Sequence, residues 1–255
     1  MYPELLTIGP LTLHTYGLLV AGGFLTGIWW MARLAEQEGV PRDTMYDISF
    51  WVVLAAIIGS RIFFVIVNYD QYVSAPLDAL KIWSGGLVFY GGLIGAIIAT
   101  VIMARRNNIR LWKLADIMAP GLALGHAVGR LGCFFAGCCY GAPSDAPWAV
   151  TFHNVKSIAP KGIPLHPTQL YDSFNELSIF LILTALRPRK KFEGQLWWTW
   201  LGLYAVGRSI VELYRADARG AILGGAVTTS QAVAAVALSA AVVMYAWNLL
   251  RPAAR

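Results

Sequence analysis

Residues 46–67 read YDISFWVVLAAIIGSRIFFVIV, a run of branched and aromatic apolar side chains in which Arg61 is the only cation. As a helix rising about 1.5 Å per residue, such a run crosses a hydrocarbon core of about 30 Å. Comparable runs lie near Leu13–Leu34, Leu87–Met103, Leu114–Phe135, Leu170–Leu186, Leu196–Leu213 and Ala226–Leu250. The pattern predicts an all-α polytopic integral membrane protein of about seven transmembrane helices. Composition agrees: 57% of the 255 residues are hydrophobic and 13% charged, against about 25% charged in soluble domains. A water-soluble fold is therefore excluded. No Ser/Gly-rich or Pro-rich linker divides the chain, so residues 1–255 read as a single transmembrane domain. The fourth run is the least regular, because Pro120 and a row of glycines suit a broken or re-entrant helix.

The net charge of +6 does not point to nucleic acid, because the cations sit in short clusters between apolar runs rather than along one face. One set of alternate loops holds Arg33, Arg42, Arg105, Arg106, Arg110, Lys113, Arg187, Arg189, Lys190, Lys191, Arg251 and Arg255. The other holds Lys81, Lys156, Lys161, Arg215 and Arg219. The positive-inside rule places the first set in the cytoplasm. The N-terminus is then outside, the C-terminus cytoplasmic, and residues 142–167 form an external loop. The opening Met1-Tyr2-Pro3-Glu4 lacks the basic region of a cleavable signal, so the first run is expected to stay as a span.

Arg61, Arg130 and Arg208 lie inside spans, each toward the external end. A charge at the bilayer centre costs about 2.5–3.5 kcal/mol on insertion scales, so such residues face a bundle interior or a wet cavity. Two readings stand. Each arginine snorkels to the headgroups or pairs with a carboxylate such as Glu212, one turn beyond Arg208. Alternatively the three converge, and their repulsion calls for an anion. A guanidinium fork fits phosphate oxygens bidentately, which makes a phospholipid headgroup the natural ligand. Glycines cluster at the same positions: Gly85, Gly86, Gly91, Gly92, Gly95, Gly125, Gly129, Gly132, Gly137 and Gly141. They serve close helix packing, or present backbone N–H groups to an anion.

The run Trp83-Ser84-Gly85-Gly86-Leu87-Val88-Phe89-Tyr90-Gly91-Gly92-Leu93-Ile94-Gly95, then Gly129-Arg130-Leu131-Gly132 and Gly141, resembles the bacterial prolipoprotein diacylglyceryl transferase family. Further matches cover nearly the whole chain: His14 with Tyr16-Gly17-Leu18, Gly59 with Arg61, Asp116 with Ala119-Pro120, His166 to Tyr171, and Tyr204 through Arg208 to Glu212 and Arg215. The resemblance implies a multi-pass enzyme of the bacterial inner membrane. Such an enzyme moves a diacylglyceryl group from phosphatidylglycerol to the lipobox cysteine of a preprolipoprotein and releases glycerol phosphate. Its partners are phosphatidylglycerol, the preprolipoprotein signal peptide and lipobox, and membrane lipids, with no nucleic acid, metal or organic cofactor. Arg130 and Arg208 match the family's essential arginines and are expected to clamp the departing phosphate. Tyr16, His14, Arg61, Gly91, Gly92, Gly95, Gly141 and Glu212 are expected around the substrate, with Arg61 in a supporting, structural role. His166 and Gln169 suit loop anchoring.

Several residues depart from the family pattern. Its usual histidine before Gly-Gly-Leu-Ile-Gly is Tyr90 here, a catalytic candidate either as a base or as a hydrogen-bond donor only. His126, one turn before Arg130, offers an imidazole on the same face; the plainer reading is a buried histidine bonded to a neighbouring carbonyl. Glu212 is another candidate base. Polar positions of the signature loop become Cys133, Ala136 and Cys138, followed by Cys139, so all three cysteines fall within ten residues. A Cys133–Cys138 disulfide, inert packing and a metal site are the readings, the metal site the weakest for want of a fourth ligand. These departures leave room for a related transferase with another donor or acceptor, or for a non-enzymatic anion or lipid transporter. The absence of paired broken helices in two related halves counts against transport.

Overall fold

A computed structural model describes residues 2–9, 11–73, 76–81, 85–216, 221–222 and 227–250; Trp83, Ser84, Arg219, Arg251 and Arg255 of the sequence reading lie outside the described residues. The chain is mostly helical. Its long helices are α1 (Thr15–Gln37), α2 (Arg42–Val67), α3 (Phe89–Arg106), α4 (Leu111–Ala136), α5 (Thr168–Leu186), α6 (Gln195–Glu212) and α7 (Thr229–Leu250). Each coincides with an expected apolar run, because burial of a continuous apolar surface and internal pairing of every backbone group favour the helix there. Five of them, α1 to α4 and α7, are long and apolar enough to cross a membrane. The other two carry Asp172 and Glu176 in α5 and Arg208 and Glu212 in α6.

Among the described residues, three two-stranded antiparallel sheets accompany the helices: β1 (Glu4–Ile8) with β2 (Leu11–His14), β3 (Val150–Thr151) with β4 (Pro164–Leu165), and β5 (Ala221–Ile222) with β6 (Val227–Thr228). The first corrects the expected start of the first span, since Leu13 lies in a strand and the helix opens at Thr15. Thr15 is buried, its backbone N–H bonding Pro3 O at 3.0 Å, which fastens the hairpin to the helix. The expected break in the fourth span is also corrected, because α4 runs through Pro120 without interruption. A proline forfeits one helical hydrogen bond, and packing on both sides offsets it: Ala119, Pro120 and Ala123 are fully buried.

Two compact units are present, residues 32–114 and residues 1–31 with 115–255. In the first, α2 and α3 pack along glycines. A Cβ on Gly91 would stand 2.3 Å from Gly59 O, and one on Gly95 2.3 Å from Ala55 O, so no side chain fits at either contact. Many large side chains of these helices point away from the packing, among them Phe50, Ile66, Ile98 and Ile102. Such broad apolar exposure suits a lipid surface.

In the second unit, α1 and α4 meet through Gly23 and Gly125, where an added Cβ at Gly23 would lie 2.5 Å from Gly125 O. A core of Ala119, Ala123, Ile179, Leu183 and Leu196 joins α4, α5 and α6, with Phe180, Trp200 and Tyr204 against it. Asp116 of α4 fixes the start of α6: its carboxylate accepts the N–H groups of Gly194 (2.8 Å), Leu196 (2.9 Å) and Trp197 (3.1 Å) and pairs with Lys190 at 3.2 Å. A negative group at the N-terminal end of a helix satisfies donors that have no partner within the helix. The segment 142–167 is ordered around its own small core of Phe152, Ala159 and Leu165.

Candidate active site

The site is built on α4, α5 and α6 of the second unit, from the polar residues that make α5 and α6 less apolar than the other helices. Arg130 of α4 points its Nη2 at Asp172 Oδ2 of α5 (3.2 Å) and donates from Nε to His126 Nε2 (3.2 Å). His126 lies 2.8 Å from Glu176 Oε1 through Nδ1. Since Nε2 accepts from a guanidinium, which has no acceptor of its own, the imidazole proton must sit on Nδ1 and point at Glu176. The expected bond from His126 to a neighbouring carbonyl is thus replaced by a carboxylate on one side and an arginine on the other. Asp172 also faces Arg215, just beyond α6, at 3.8 Å. The chain Glu176, His126, Arg130, Asp172, Arg215 is a continuous polar line, buried at the carboxylates and partly exposed at His126.

Arg208 of α6 is 6% exposed and donates from Nη2 to Glu212 Oε2 at 2.5 Å and to Ser230 Oγ of α7 at 3.4 Å. Its Nη1 is buried with no hydrogen-bond partner among the described residues. Tyr204, one turn earlier, lies within electrostatic reach of Arg130 and Arg208 and of Asp172 and Glu176. That residue ties the two arginines to one neighbourhood. The repulsion among arginines that called for an outside anion is answered within the protein, because Arg130 and Arg208 each have a carboxylate partner. Asp172 and Glu176 were missed by the sequence reading. The signal was there: two carboxylates one turn apart in an otherwise apolar run, a spacing that sets both on one helix face.

Arg61 belongs to the other unit and has a different environment. Its guanidinium donates to Asp78 O (2.8 Å), Ala79 O (2.8 Å), Gly85 O (2.7 Å) and Gly86 O (3.2 Å), with Phe64 and Tyr72 beside it. Four backbone carbonyls take up its donors, so Arg61 holds the segment before α3 in place, as the structural reading expected. Tyr90 lies in the same unit, half-exposed at the start of α3 against Phe89. Gly91, Gly92 and Gly95 lie at the α2–α3 contact, where an added Cβ on Gly92 would come within 3.2 Å of Ala56 O.

Tyr16, in the first turn of α1, is within electrostatic reach of Arg130 and of all three cysteines. His14 ends β2, exposed and opposite Glu4 in the hairpin. Gly141 joins the loop after α4 to two other segments: its N–H bonds His166 O at 2.9 Å and it bridges to Arg215. A Cβ there would lie 2.6 Å from Tyr214 O, which accounts for the glycine by packing alone.

The cysteine loop is anchored by α5. Thr168 Oγ1 donates to Cys139 O and Gln169 Nε2 to Cys138 O, both at 2.7 Å. Gln169 thereby fills the expected anchoring role. Cys139 is left-handed at φ 59°, a conformation that costs a non-glycine residue about 1–2 kcal/mol. No disulfide joins Cys133, Cys138 and Cys139, so the expected Cys133–Cys138 bridge is not formed. Hydrogen bonds from Cys133 and Cys138, joined by Arg215, hold the Cys139 thiol well below the usual range, while the bonds of Cys138 to Cys133 and Cys139 push its own thiol above it.

A family model described as prolipoprotein diacylglyceryl transferase matches residues 3–247. The chain belongs to the prolipoprotein diacylglyceryl transferase family. Relatives named phosphatidylglycerol–prolipoprotein diacylglyceryl transferase include one from Nostoc sp., 33% identical over 98% of this chain and 90% of the relative. Another, from Finegoldia magna, is 36% identical over 90% of this chain and 88% of its own length. A third, from Bacillus cereus, is 36% identical over 82% and 79%. Membership in the transferase family gives the buried arginine–carboxylate cluster a chemical context, an enzyme of lipoprotein biosynthesis with a phospholipid donor.

Proposed function

We infer that this chain transfers the diacylglyceryl group of phosphatidylglycerol to the thiol of the lipobox cysteine of a preprolipoprotein, releasing glycerol phosphate. In the reaction the acceptor thiolate attacks the glycerol carbon that carries the phosphate. A C–S bond forms, the C–O bond breaks, and its electron pair stays on the phosphate oxygen of the leaving group. The thiol proton goes to a base on the enzyme. The step needs a cationic clamp for the developing charge, placed where water is scarce.

The observation that carries this reading is the buried Nη1 of Arg208. A buried donor without a partner costs about 1–3 kcal/mol, which an anionic oxygen arriving beside Arg208 would recover. Arg130 completes the clamp from α4, oriented by Asp172 and His126. The catalytic set is Arg130 and Arg208, with His126 as proton acceptor through Nε2 once Arg130 Nε gives up that bond, its Nδ1 proton held by Glu176; Tyr90, at the family's histidine position, takes the role of hydrogen-bond donor. Tyr16 and Glu212 border the lipid headgroup, with His14 and Gly141 in the same unit; the family pattern adds Arg61, Gly91, Gly92 and Gly95, which order the packing of the α2–α3 unit.

We place the protein in the bacterial cytoplasmic membrane with all of α1 to α7 spanning, the N-terminus outside and the C-terminus inside. The cation-rich turns between α3 and α4 and between α5 and α6 support that orientation. The decisive assay incubates purified protein with phosphatidylglycerol and a lipobox peptide and looks for thioether-linked diacylglycerol by mass spectrometry. Product is expected from the wild type and none from Arg208→Ala. Absence of product from well-folded wild-type protein, under conditions where a relative succeeds, would overturn the assignment.

A further inference from the structure

The loop that closes α4 brings together three thiols that the reaction above does not use. The Sγ atoms of Cys133, Cys138 and Cys139 lie within 4.8 Å of one another. Cys138 and Cys139 are consecutive, and the left-handed turn at Cys139 lets both side chains face the same side as Cys133. Hydrogen bonds to the backbone from Thr168 and Gln169 hold this shape independently of the thiols.

We propose that Cys133, Cys138 and Cys139 form a three-thiolate site for one soft divalent cation of the zinc class. Thiolate sulfur at about 2.3 Å from zinc sets tetrahedral neighbours about 3.8 Å apart, so the cluster needs only a small contraction to hold the ion. Three soft donors select zinc and its heavier relatives over magnesium or calcium. The fourth position is open to an outside ligand. Three thiolates and one divalent ion carry one net negative charge. Arg130 of α4 and Arg215 beyond α6 offset it, both within electrostatic reach of these sulfurs. Tyr16 of α1 is also within electrostatic reach of the three sulfurs, and Asp172 of α5 faces both arginines. A single disulfide would satisfy two of the three sulfurs and leave the third alone; one cation uses all three.

The test takes the full chain, purified in detergent with a phosphine reductant, and adds Co(II) alone and then Zn(II) alone. One equivalent of Co(II) should bind with a sulfur-to-cobalt charge-transfer band, and Zn(II) should displace it. Single Cys→Ser variants at Cys133, Cys138 and Cys139 should each weaken binding by about tenfold or more, at least the loss that even a supporting group of a metal site brings. The triple Ser variant should abolish the band while keeping the melting temperature of metal-free wild type. Should that variant unfold, methylation of the thiols in folded wild type serves the same purpose. The proposal falls if reduced, monodisperse protein binds less than one equivalent, or if binding survives removal of the thiols. It falls equally if protein isolated without reductant holds a disulfide and the reduced form binds no metal. None of these readouts depends on transferase activity.

Discussion

At the scale of single residues, the arrangement around Arg130 makes separate demands on charge, shape and proton. Arg130 uses two different nitrogens on two different partners, His126 and Asp172. Lysine would keep the charge and lose the fork, so Arg130→Lys is expected to lower kcat/KM by about 100-fold to 1,000-fold, the range for removing one donor from a charge-stabilising site. Steady-state kinetics on a fluorescent lipobox peptide would measure it. His126→Gln keeps a hydrogen-bonding group near Glu176 but has no basic nitrogen. As the proton acceptor, His126 predicts a loss of about 100-fold to 10,000-fold in kcat with little change in KM. Tyr90 separates the alternatives. If Tyr90 serves as a donor only, Tyr90→His retains substantial activity and Tyr90→Phe loses less than His126→Gln. A reversed order would move the base to Tyr90.

At the scale of elements, helix contacts and a helix start govern stability. Gly59 and Gly91 bring α2 and α3 to backbone contact, and a Cβ on Gly59 would stand 2.5 Å from Gly91 O. Gly59→Val is therefore expected to destabilise the protein by about 1–3 kcal/mol, the usual cost of overpacking, read as a lower melting temperature in detergent. Asp116→Ala removes the carboxylate that receives three N–H groups at the start of α6 and leaves Lys190 without its 3.2 Å partner. A stability loss of about 1–3 kcal/mol follows from the unpaired donors. Activity should fall with it through displacement of Arg208, and Asp116→Asn should recover only part of both.

At the scale of the whole molecule, the orientation gives a direct prediction. Single cysteines introduced into a cysteine-free variant at Ser144 and at Asn108 should differ in labelling by a membrane-impermeant maleimide on intact spheroplasts. Ser144, on the proposed outer side, should react at once. Asn108, between the cation-rich ends of α3 and α4, should react only after lysis. Labelling of both positions in intact cells would refute the proposed topology.

Much of this architecture was legible in the chain itself. Apolar runs long enough to cross a bilayer marked every long helix, since in hydrocarbon a backbone must satisfy its own hydrogen bonds and composition alone then dictates a helix. Family motifs spread along the chain pointed to Arg130 and Arg208, and glycines at helical spacing announced close packing. What the sequence did not disclose was how the charges are paired. Arg61 was expected in a supporting role, but the four backbone carbonyls that it holds could not be named from the chain. Asp172 and Glu176 passed unremarked and proved to be the partners that orient Arg130 and His126. The break expected at Pro120 is bridged by packing. The three cysteines, close in sequence, gather their sulfurs only because α5 fixes the loop they share. Local interactions choose a helix residue by residue, but the pairing of a buried charge depends on which helix faces it, and only the packed structure decides that.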